Sequence, residues 1–562
     1  MHERDYLQRL RQLQQAAWPA GHAREPQYPL GQRPLTHYLR HWAQTVPDKP
    51  AVRFYGHDLS YAELDDLSSR FASLLLDRGI QPGDRVAVYL PNCPQMHIVF
   101  YGILKAGAVH CPVSPMAMPM ELAYQVKDCG AQVIVSFDQL LPVVRQVADD
   151  CQLRLIISTS LSELCPAEPP FPVPDLLLAP KLPVTDSLDL MPALATTAPR
   201  ELPEPALDDI AALNYTGGTT GLPKGAQLTH ANIAANMSQI NHWGCGVFLP
   251  PAKIVAVLPF FHIFAMTVCM NVPLCNGTQV VMLPRFELKA LLNLLTRTRA
   301  NVLPAVPTLL NAVARAEGAT SEQLASIEVA ISGGAALSNE IRAAFSKKSS
   351  AILAEGYGLT EASPVVCCAA LRVPSKPLSI GLPLPGTDIR FVNLETDTPV
   401  GIGEDGELQV KGAQVMLAYY NEPQATADAF MDGWLRTGDV GHMDEDGYAF
   451  LVDRIKDLII SSGFNVYPRT IEEALMAHDA VEEANVIGVP DDYRGEAPIA
   501  FVKLCDGASI TADELKVFLA ERISKIEMPR EIIFKDALPK TLIGKLSKKE
   551  LREEYAQSTA TT

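Results

Sequence analysis

The stretch YTGGTTGLPKG, Tyr215 to Gly225, places four glycines, three threonines and one lysine within eleven residues. Gly217, Gly218, Gly221 and Gly225 allow backbone conformations closed to other residues and a close approach to a ligand. Thr216, Thr219 and Thr220 add hydroxyl donors, and Lys224 adds a mobile positive charge. Backbone N–H groups, hydroxyls and a lysine together form a cradle for a polyphosphate. The order is not that of the common nucleotide P-loop, because Leu222 and Pro223 separate Gly221 from Lys224. Ile210 to Tyr215 and Gly225 to Leu228 both read as short strands. The loop is therefore expected to join two strands, with a helix starting only after Thr229.

At 562 residues the chain exceeds one ordinary domain. Hydrophobic residues make up 48% and charged residues 20%, a globular composition and not a disordered one. The net charge of -17 argues against nucleic acid as a main partner. An anionic substrate must then be met by a local cluster of positive groups and a metal ion. The 11 cysteines include no C-x-x-C pair, and Cys367 and Cys368 are adjacent, so buried free thiols in a reducing, cytoplasmic setting are expected. The N-terminal MHERDYLQRLRQLQQ lacks the apolar core of a signal peptide. The apolar run Val255 to Cys275 is interrupted by Pro259, His262, Asn271 and Pro273, which points to a buried strand and helix and not to a spanning segment. Contact with a membrane surface is left open, as is the oligomeric state.

Regular alternation begins at Leu59. Ser60 and Glu63 read as a capping box before an apolar stripe of Leu64, Leu67, Phe71 and Leu75. Arg85 to Leu90, Ala108 to Cys111 and Gln132 to Ser136 read as strands, separated by helices over Pro94 to Ala106 and Met120 to Cys129. Such alternation predicts a largely parallel sheet covered by helices. Cys165 to Pro205, rich in proline and leucine without a clean period, reads as a long surface excursion. Two further motifs follow, ISGGAALS at Ile331 to Ser338 and AEGYGLTE at Ala354 to Glu361. Beyond Gly381 turn signals recur about every ten residues, as in an antiparallel subdomain. After Asp453, a helix from Pro468, strands at Val481 to Gly488 and Ala497 to Lys503, and a helix capped by Thr511 and Glu514 describe a small α+β unit.

These motifs, in this order, resemble the adenylate-forming (AMP-binding) superfamily, over Leu35 to Leu551. DGWLRTGD followed by DRIKDLIISSGFNVYP is most similar to the medium- and long-chain fatty-acyl-CoA ligases. The resemblance implies an α/β plus β fold: a large N-terminal domain of helix-covered sheets with a β-barrel-like subdomain, residues 30–453, and a small mobile α+β C-terminal domain, residues 454–562. It implies ATP, Mg²⁺ and the co-substrate CoA, with a small-molecule carboxylic acid as the other partner.

By the same resemblance, Thr216 to Lys224 hold the β- and γ-phosphates of ATP, and Gly333, Gly334 and Ala335 lie along the adenine, on which Tyr357 stacks. Glu355, Gly356, Tyr357, Gly358, Leu359 and Thr360 line the nucleotide and acyl site. Thr360 faces the α-phosphate, Glu361 holds Mg²⁺, and Asp439 binds the ribose with help from Arg454. Lys545 reaches from the small domain onto the forming anhydride. Lys456 is the hinge, the Gly463 loop enters for the second step, and His262 lines the acyl pocket or serves as an ordinary core histidine. The chemistry asks for these types, because a carboxylate attacking a phosphate brings two anions together. One unit charge at about 4 Å contributes roughly 4 kcal/mol at an effective dielectric near 20, about a thousandfold in rate.

Several positions depart from the family pattern. Ala418 precedes Tyr419-Tyr420 where glycine is common, Ala413 replaces a frequent proline, and KIEMPR carries Ile526 and Glu527 where Tyr-Lys is frequent. Trp434 reads as packing, Glu472-Glu473 as a solvated helix face, and Lys548 and Lys549 either as CoA-phosphate contacts or as an exposed basic end. The leading expectation is an ATP-dependent acyl-CoA ligase for a medium- or long-chain fatty acid. An aryl or other non-fatty acid ligase, an acyl-AMP ligase loading a carrier protein, and a catalytically dead binding protein stand as alternatives.

Overall fold

The computed structural model describes residues 3–216, 222–371, 373, 376–462, 464–491, 493–540 and 546–560. The first sheet has seven strands, ordered Leu188–Asp189, Leu155–Thr159, Val133–Phe137, Arg85–Tyr89, Val109–Pro112, Ile210–Tyr215 and Gly225–Thr229. Helices Pro94–Lys105 and Pro119–Cys129 supply crossovers, and every neighbouring pair is parallel except the last. Parallel neighbours need such long connections, and a sheet covered on both faces takes continuous apolar runs. The strand VIVSF, Val133–Phe137, is buried at every position.

Helix Tyr61–Asp77 opens with the expected capping box, the Ser60 hydroxyl accepting from Glu63 N–H while Glu63 accepts from Ser60 N–H. It packs on Pro94–Lys105, which is buried all round. The one cation of that helix, Lys105, lies inside the protein and donates to the Asp65 carboxylate at 2.6 Å and to the Ser68 and Ser69 hydroxyls. Burial lowers its pKa to about 8, against the pull of Asp65.

The second sheet has fourteen strands. Pro50–Phe54, Gln279–Met282, Lys253–Ala256, Val302–Ala305, Val329–Ser332 and Ile352–Gly358 run parallel to their neighbours in this set. Val365–Cys368, Ser379–Pro383, Ala449–Arg454, Trp434–Met443, Gly406–Gly412 and Thr387–Val392 then continue antiparallel. The stretch Val255 to Cys275 is buried as expected, but its helical part is wound as a π-helix over Ala265–Asn271 before an α-turn at Val272–Cys275. No helix among the described residues is long and apolar enough to cross a membrane. All 11 cysteines are free thiols.

A separate five-stranded sheet begins at Ile459, five residues after the large sheet ends at Arg454. Helices Pro468–Met476 and Ala512–Ala520 cover it over a core built only from residues of this region, including Ile471, Leu475, Leu515 and Leu519. The chain is thus a large N-terminal α/β domain with mixed sheets and a smaller C-terminal α+β domain.

Three expectations are corrected. Cys165 to Pro205 is not a mere excursion: Leu188–Asp189 pairs with Leu155–Thr159 as the sheet edge, and Phe171, Leu177, Leu190 and Leu194 are buried. Its leucines serve a core without helical period because the elements are too short to show one. Glu472 is not solvated, since it accepts from Val486 N–H and pairs with Lys548 at 3.0 Å. Lys548 is correspondingly not a free basic end. The N-terminal residues also do more than their composition showed. Helix Glu3–Ala17 buries Tyr6 and Leu10 against Phe391 and Leu408, and Arg11 pairs with Asp388.

Gly102 marks a close helix crossing, since a Cβ there would lie 2.6 Å from the Phe71 ring and 2.8 Å from Ser68 O. Replacing Gly102 by Val is expected to destabilise the large domain by about 2–3 kcal/mol, read as a lower urea midpoint. An unchanged midpoint would show that the two helices separate freely.

Candidate active site

Strands Ile210–Tyr215 and Gly225–Thr229 pair antiparallel with Tyr215 opposite Gly225, so the glycine-rich segment joins two strands as expected. Helix His230–Trp243 starts after Thr229, whose hydroxyl accepts from Asn232 N–H. At the neck of the loop Thr216 N–H donates to Lys224 O at 2.9 Å. Tyr124 O–H donates to Pro223 O at 2.8 Å, and Tyr215 O–H donates to the Asp128 carboxylate at 2.6 Å. Gly217, Gly218, Thr219, Thr220 and Gly221 lie outside the described residues, as do Gly463 and Lys545.

The segment 416–420 lies along the outer side of strand Gly225–Thr229. Leu417 N–H donates to Gln227 O at 3.0 Å, Gln227 N–H to Ala418 O at 2.9 Å, and Tyr420 N–H to Gly225 O at 2.8 Å. This contact ties the loop-bearing sheet to the region where the second sheet changes direction. Met416 N–H donates to Glu361 O at 2.7 Å. Tyr419 then places its O–H on Glu361 Oε1 at 2.6 Å and its ring centroid 5.2 Å from Lys224 Nζ. Lys224 and Glu361, distant in sequence, thus meet across one tyrosine.

Strand Ile352–Gly358 carries the AEGYG motif through the switch between parallel and antiparallel pairing. Its Glu355 still pairs parallel with Ser332, whereas Gly356 already faces Cys368 on the antiparallel side. Beyond this switch the chain folds back sharply: Leu359 N–H donates to Pro364 O, and a Cβ on Gly358 would come within 2.0 Å of that same oxygen. Only glycine fits there. Thr360 and Glu361 sit in the resulting turn, Thr360–Ala362.

Tyr357 O–H donates to Asp439 Oδ2 at 2.5 Å, and Arg454 Nε holds the other carboxylate oxygen at 2.8 Å. Asp439 and Arg454 face each other across neighbouring strands. The buried Asp439 charge raises the Arg454 guanidinium, and burial first, then Asp439, raises the Tyr357 phenol. Lys456 is exposed in the turn Ile455–Asp457, directly after Arg454. Arg552 of the last helix donates to Asp457 at 2.8 Å, and Arg469 donates its N–H to Asp453 and a guanidinium hydrogen to Leu451 O.

The second glycine motif lies beside this strand. Gly333 N–H donates to Ala305 O at 3.1 Å, Gly334 has a φ of +82°, and Ala335 is exposed. The Phe264 ring covers Gly333, where a Cβ would lie 3.1 Å away. His262 is half-buried two residues before it, with Nδ1 accepting from Phe264 N–H at 3.3 Å. Glu355 is turned toward the glycine motif: it accepts from Leu337 N–H at 3.1 Å and pairs with Arg342 at 3.2 Å. Burial raises its carboxyl, with the Leu337 amide and Arg342 drawing it back down. Glu355 therefore sets the shape of the 333–337 turn. Neither Arg342 nor Tyr419 carries a functional signal of its own in the sequence, Tyr419 being marked only by Ala418 before it, where glycine is common.

Among the described residues no group of three His, Cys, Asp or Glu side chains could hold a metal ion. A lone carboxylate on Glu361 suits Mg²⁺, which keeps waters and is commonly held by one or two carboxylates plus substrate phosphates.

A model of the AMP-binding enzyme matches residues 39–420, and one of the AMP-binding enzyme C-terminal domain matches residues 470–545. A long-chain-fatty-acid–CoA ligase of Bacillus subtilis is 39% identical over 94% of this chain and 96% of its own. The structure of ATP-bound MatB from Rhodopseudomonas palustris superposes with a TM-score of 0.83 at 30% identity, covering 92% of this chain and 99% of that one. An O-succinylbenzoate coenzyme A synthetase from Bacillus subtilis, in complex with ATP and magnesium ion, gives a TM-score of 0.77 at 26% identity over 92% of this chain and 99% of its own.

Removing the Arg342 partner should leave the Glu355 carboxylate buried and poorly compensated. Arg342→Met is expected to cost about 3 kcal/mol of stability, and adding Glu355→Gln should recover at least half of it in urea unfolding. A double variant no more stable than Arg342→Met would remove the ion pair from the account of this turn.

Proposed function

The chain belongs to the AMP-binding enzyme family, and we propose that it activates a medium- or long-chain fatty acid with ATP and passes the acyl group to CoA. The observation that carries this is the convergence of Lys224 and Glu361 on Tyr419 beside the Tyr357–Asp439–Arg454 cluster. One end of this arrangement offers charge for phosphates and a hard cation, the other a buried carboxylate suited to ribose hydroxyls. In the first step the acid's carboxylate oxygen bonds to the α-phosphorus of ATP, and the bond to the leaving pyrophosphate breaks. In the second step the CoA sulfur bonds to the acyl carbon, AMP leaves, and the thiol proton is released.

Residues 216–224 grip the leaving pyrophosphate, with Lys224 supplying the charge. Gly333, Gly334 and Ala335 border the base and Tyr357 stacks on it. Glu355 through Thr360 line the site, Glu361 binds the metal, and Asp439 with Arg454 takes the ribose. Bound Mg²⁺ offsets the negative charge that gathers on the phosphates during attack. Lys545 adds a second positive group from the small domain. His262, in LPFFHIFA, borders an uncharged acyl pocket, since LPFFHIFAMTV carries no acidic residue to meet an ammonium group. The division at 453/454, a hinge at Lys456 and entry of the Gly463 loop for the CoA step belong to the same proposal, as does a cytoplasmic location. The name of the Bacillus subtilis relative, a long-chain-fatty-acid–CoA ligase, supports fatty acids as the substrate class.

A pyrophosphate-release screen of fatty and aromatic acids, with and without CoA, tests the whole. Faster turnover of fatty acids with CoA-dependent thioester formation is expected; preference for aromatic acids, or a failure to use CoA, overturns it. Lys545→Ala is expected to slow adenylation by about a thousandfold while preformed acyl-AMP still reacts with CoA. Unchanged stopped-flow pyrophosphate release would strip Lys545 of its role. Lys456→Pro should retain acyl-AMP formation and lose thioester formation, because a hinge must absorb a large backbone rotation; equal loss of both steps would argue against a hinge there.

A further inference from the structure

Taking Lys224 and Glu361 as the phosphate- and metal-holding groups proposed above, we infer that Tyr419 is the positioning residue that sets both before ATP arrives. Three contacts carry the inference. The Tyr419 hydroxyl donates to Glu361 Oε1 at 2.6 Å. Its ring lies 5.2 Å from Lys224 Nζ, within cation–π range. Its backbone is fixed from both sides: Tyr419 N–H donates to the Thr426 hydroxyl at 3.0 Å, and Ala226 pairs with Tyr419 as an isolated β-bridge.

The tyrosine thus stands on a segment held by neither motif alone. Leu417, Ala418 and Tyr420 bond to the strand that leaves the phosphate loop, while Met416 bonds to the carbonyl of Glu361 itself. Any shift of one motif against the other is transmitted to Tyr419. A direct Lys224–Glu361 ion pair would neutralise both groups. Tyr419 instead gives each its own contact, the ring to Lys224 and the hydroxyl to Glu361. The ammonium stays over an apolar face that leaves its hydrogens available, and one carboxylate oxygen is occupied by a neutral donor. A hydrogen bond to a charged group is worth more than one between neutral groups, so the hydroxyl orients Glu361 without discharging it. The phenol would act through Glu361 and Lys224 and take no part in bond making.

Two variants separate the two contacts. Tyr419→Phe keeps the ring under Lys224 and removes the hydroxyl from Glu361; Tyr419→Leu removes both. Mn²⁺ serves as a paramagnetic probe, its binding followed by electron paramagnetic resonance in the presence of ATP without acid or CoA, so that turnover is not required. Tyr419→Phe is expected to weaken Mn²⁺ binding to the protein–ATP complex roughly tenfold, the factor that one lost charge-assisted hydrogen bond gives, with ATP affinity measured without metal unchanged. Tyr419→Leu should weaken metal-free ATP binding as well, by about three- to fivefold. Both should show the same split in pyrophosphate release, a raised half-saturating Mg²⁺ concentration for Tyr419→Phe and a raised KM for ATP added only in Tyr419→Leu. A thermal midpoint matching the parent for Tyr419→Phe separates positioning from folding. Equal Mn²⁺ binding by parent and Tyr419→Phe overturns the inference while leaving the ATP assignment standing. A parent protein that binds neither ATP nor Mn²⁺ with ATP overturns both.

Discussion

Strand Ile352–Gly358 has to satisfy two kinds of sheet at once, and the large domain is arranged around that demand. Up to Glu355 its backbone pairs parallel with Val329–Ser332; from Gly356 on it pairs antiparallel with Val365–Cys368. Past this switch the strand ends in the tight return through Gly358 and Leu359. Helix-linked parallel strands lie on one side of the strand and the antiparallel strands carrying Asp439 and Arg454 lie on the other. Tyr357 can reach Asp439 only because both pairings hold.

The glycine-rich loop belongs to a different sheet, and a second contact is needed to bring it there. Segment 416–420 supplies it by adding backbone hydrogen bonds along strand Gly225–Thr229. Backbone pairing leaves no slack of the sort that long side chains have, so Lys224 and Glu361 are set relative to each other by sheet geometry. At the junction with the small domain the contacts are different, with Arg469 bonding to Asp453 and Leu451 before Lys456 and Arg552 to Asp457 after it. The Arg469 contacts are polar links between two units with separate apolar cores.

Much of this could be read from the chain before any fold was in view. Capping signals at Ser60, Thr229 and Thr511 mark helix starts that the structure contains. The alternation from Leu59 to Ser136 describes the first sheet, since apolar runs of strand length separated by helical stripes have few other solutions. Where the structure departs from the sequence pattern, the cause is a tertiary partner or an element too short or too uniform to leave a pattern. Glu472 looks solvated on a helical wheel and is paired because Lys548, far along the chain, lies against it. Cys165 to Pro205 lacks a period because its elements are only a few residues long. The π-winding of Ala265–Asn271 leaves no mark in a run that is apolar except for Thr267 and Asn271.

The sequence by itself determined the chemistry available: a glycine- and threonine-rich loop with a lysine, carboxylates at Glu361 and Asp439, and a basic Arg454. Those are properties of residue types and local spacing. Only the tertiary structure decided which of them meet. Glu355 turned out to serve the 333–337 turn through Leu337 and Arg342, and Tyr419, from a stretch noted for a missing glycine, came to lie between Lys224 and Glu361. Contacts between residues this far apart in sequence depend on how two sheets are pinned together, and no local pattern records that.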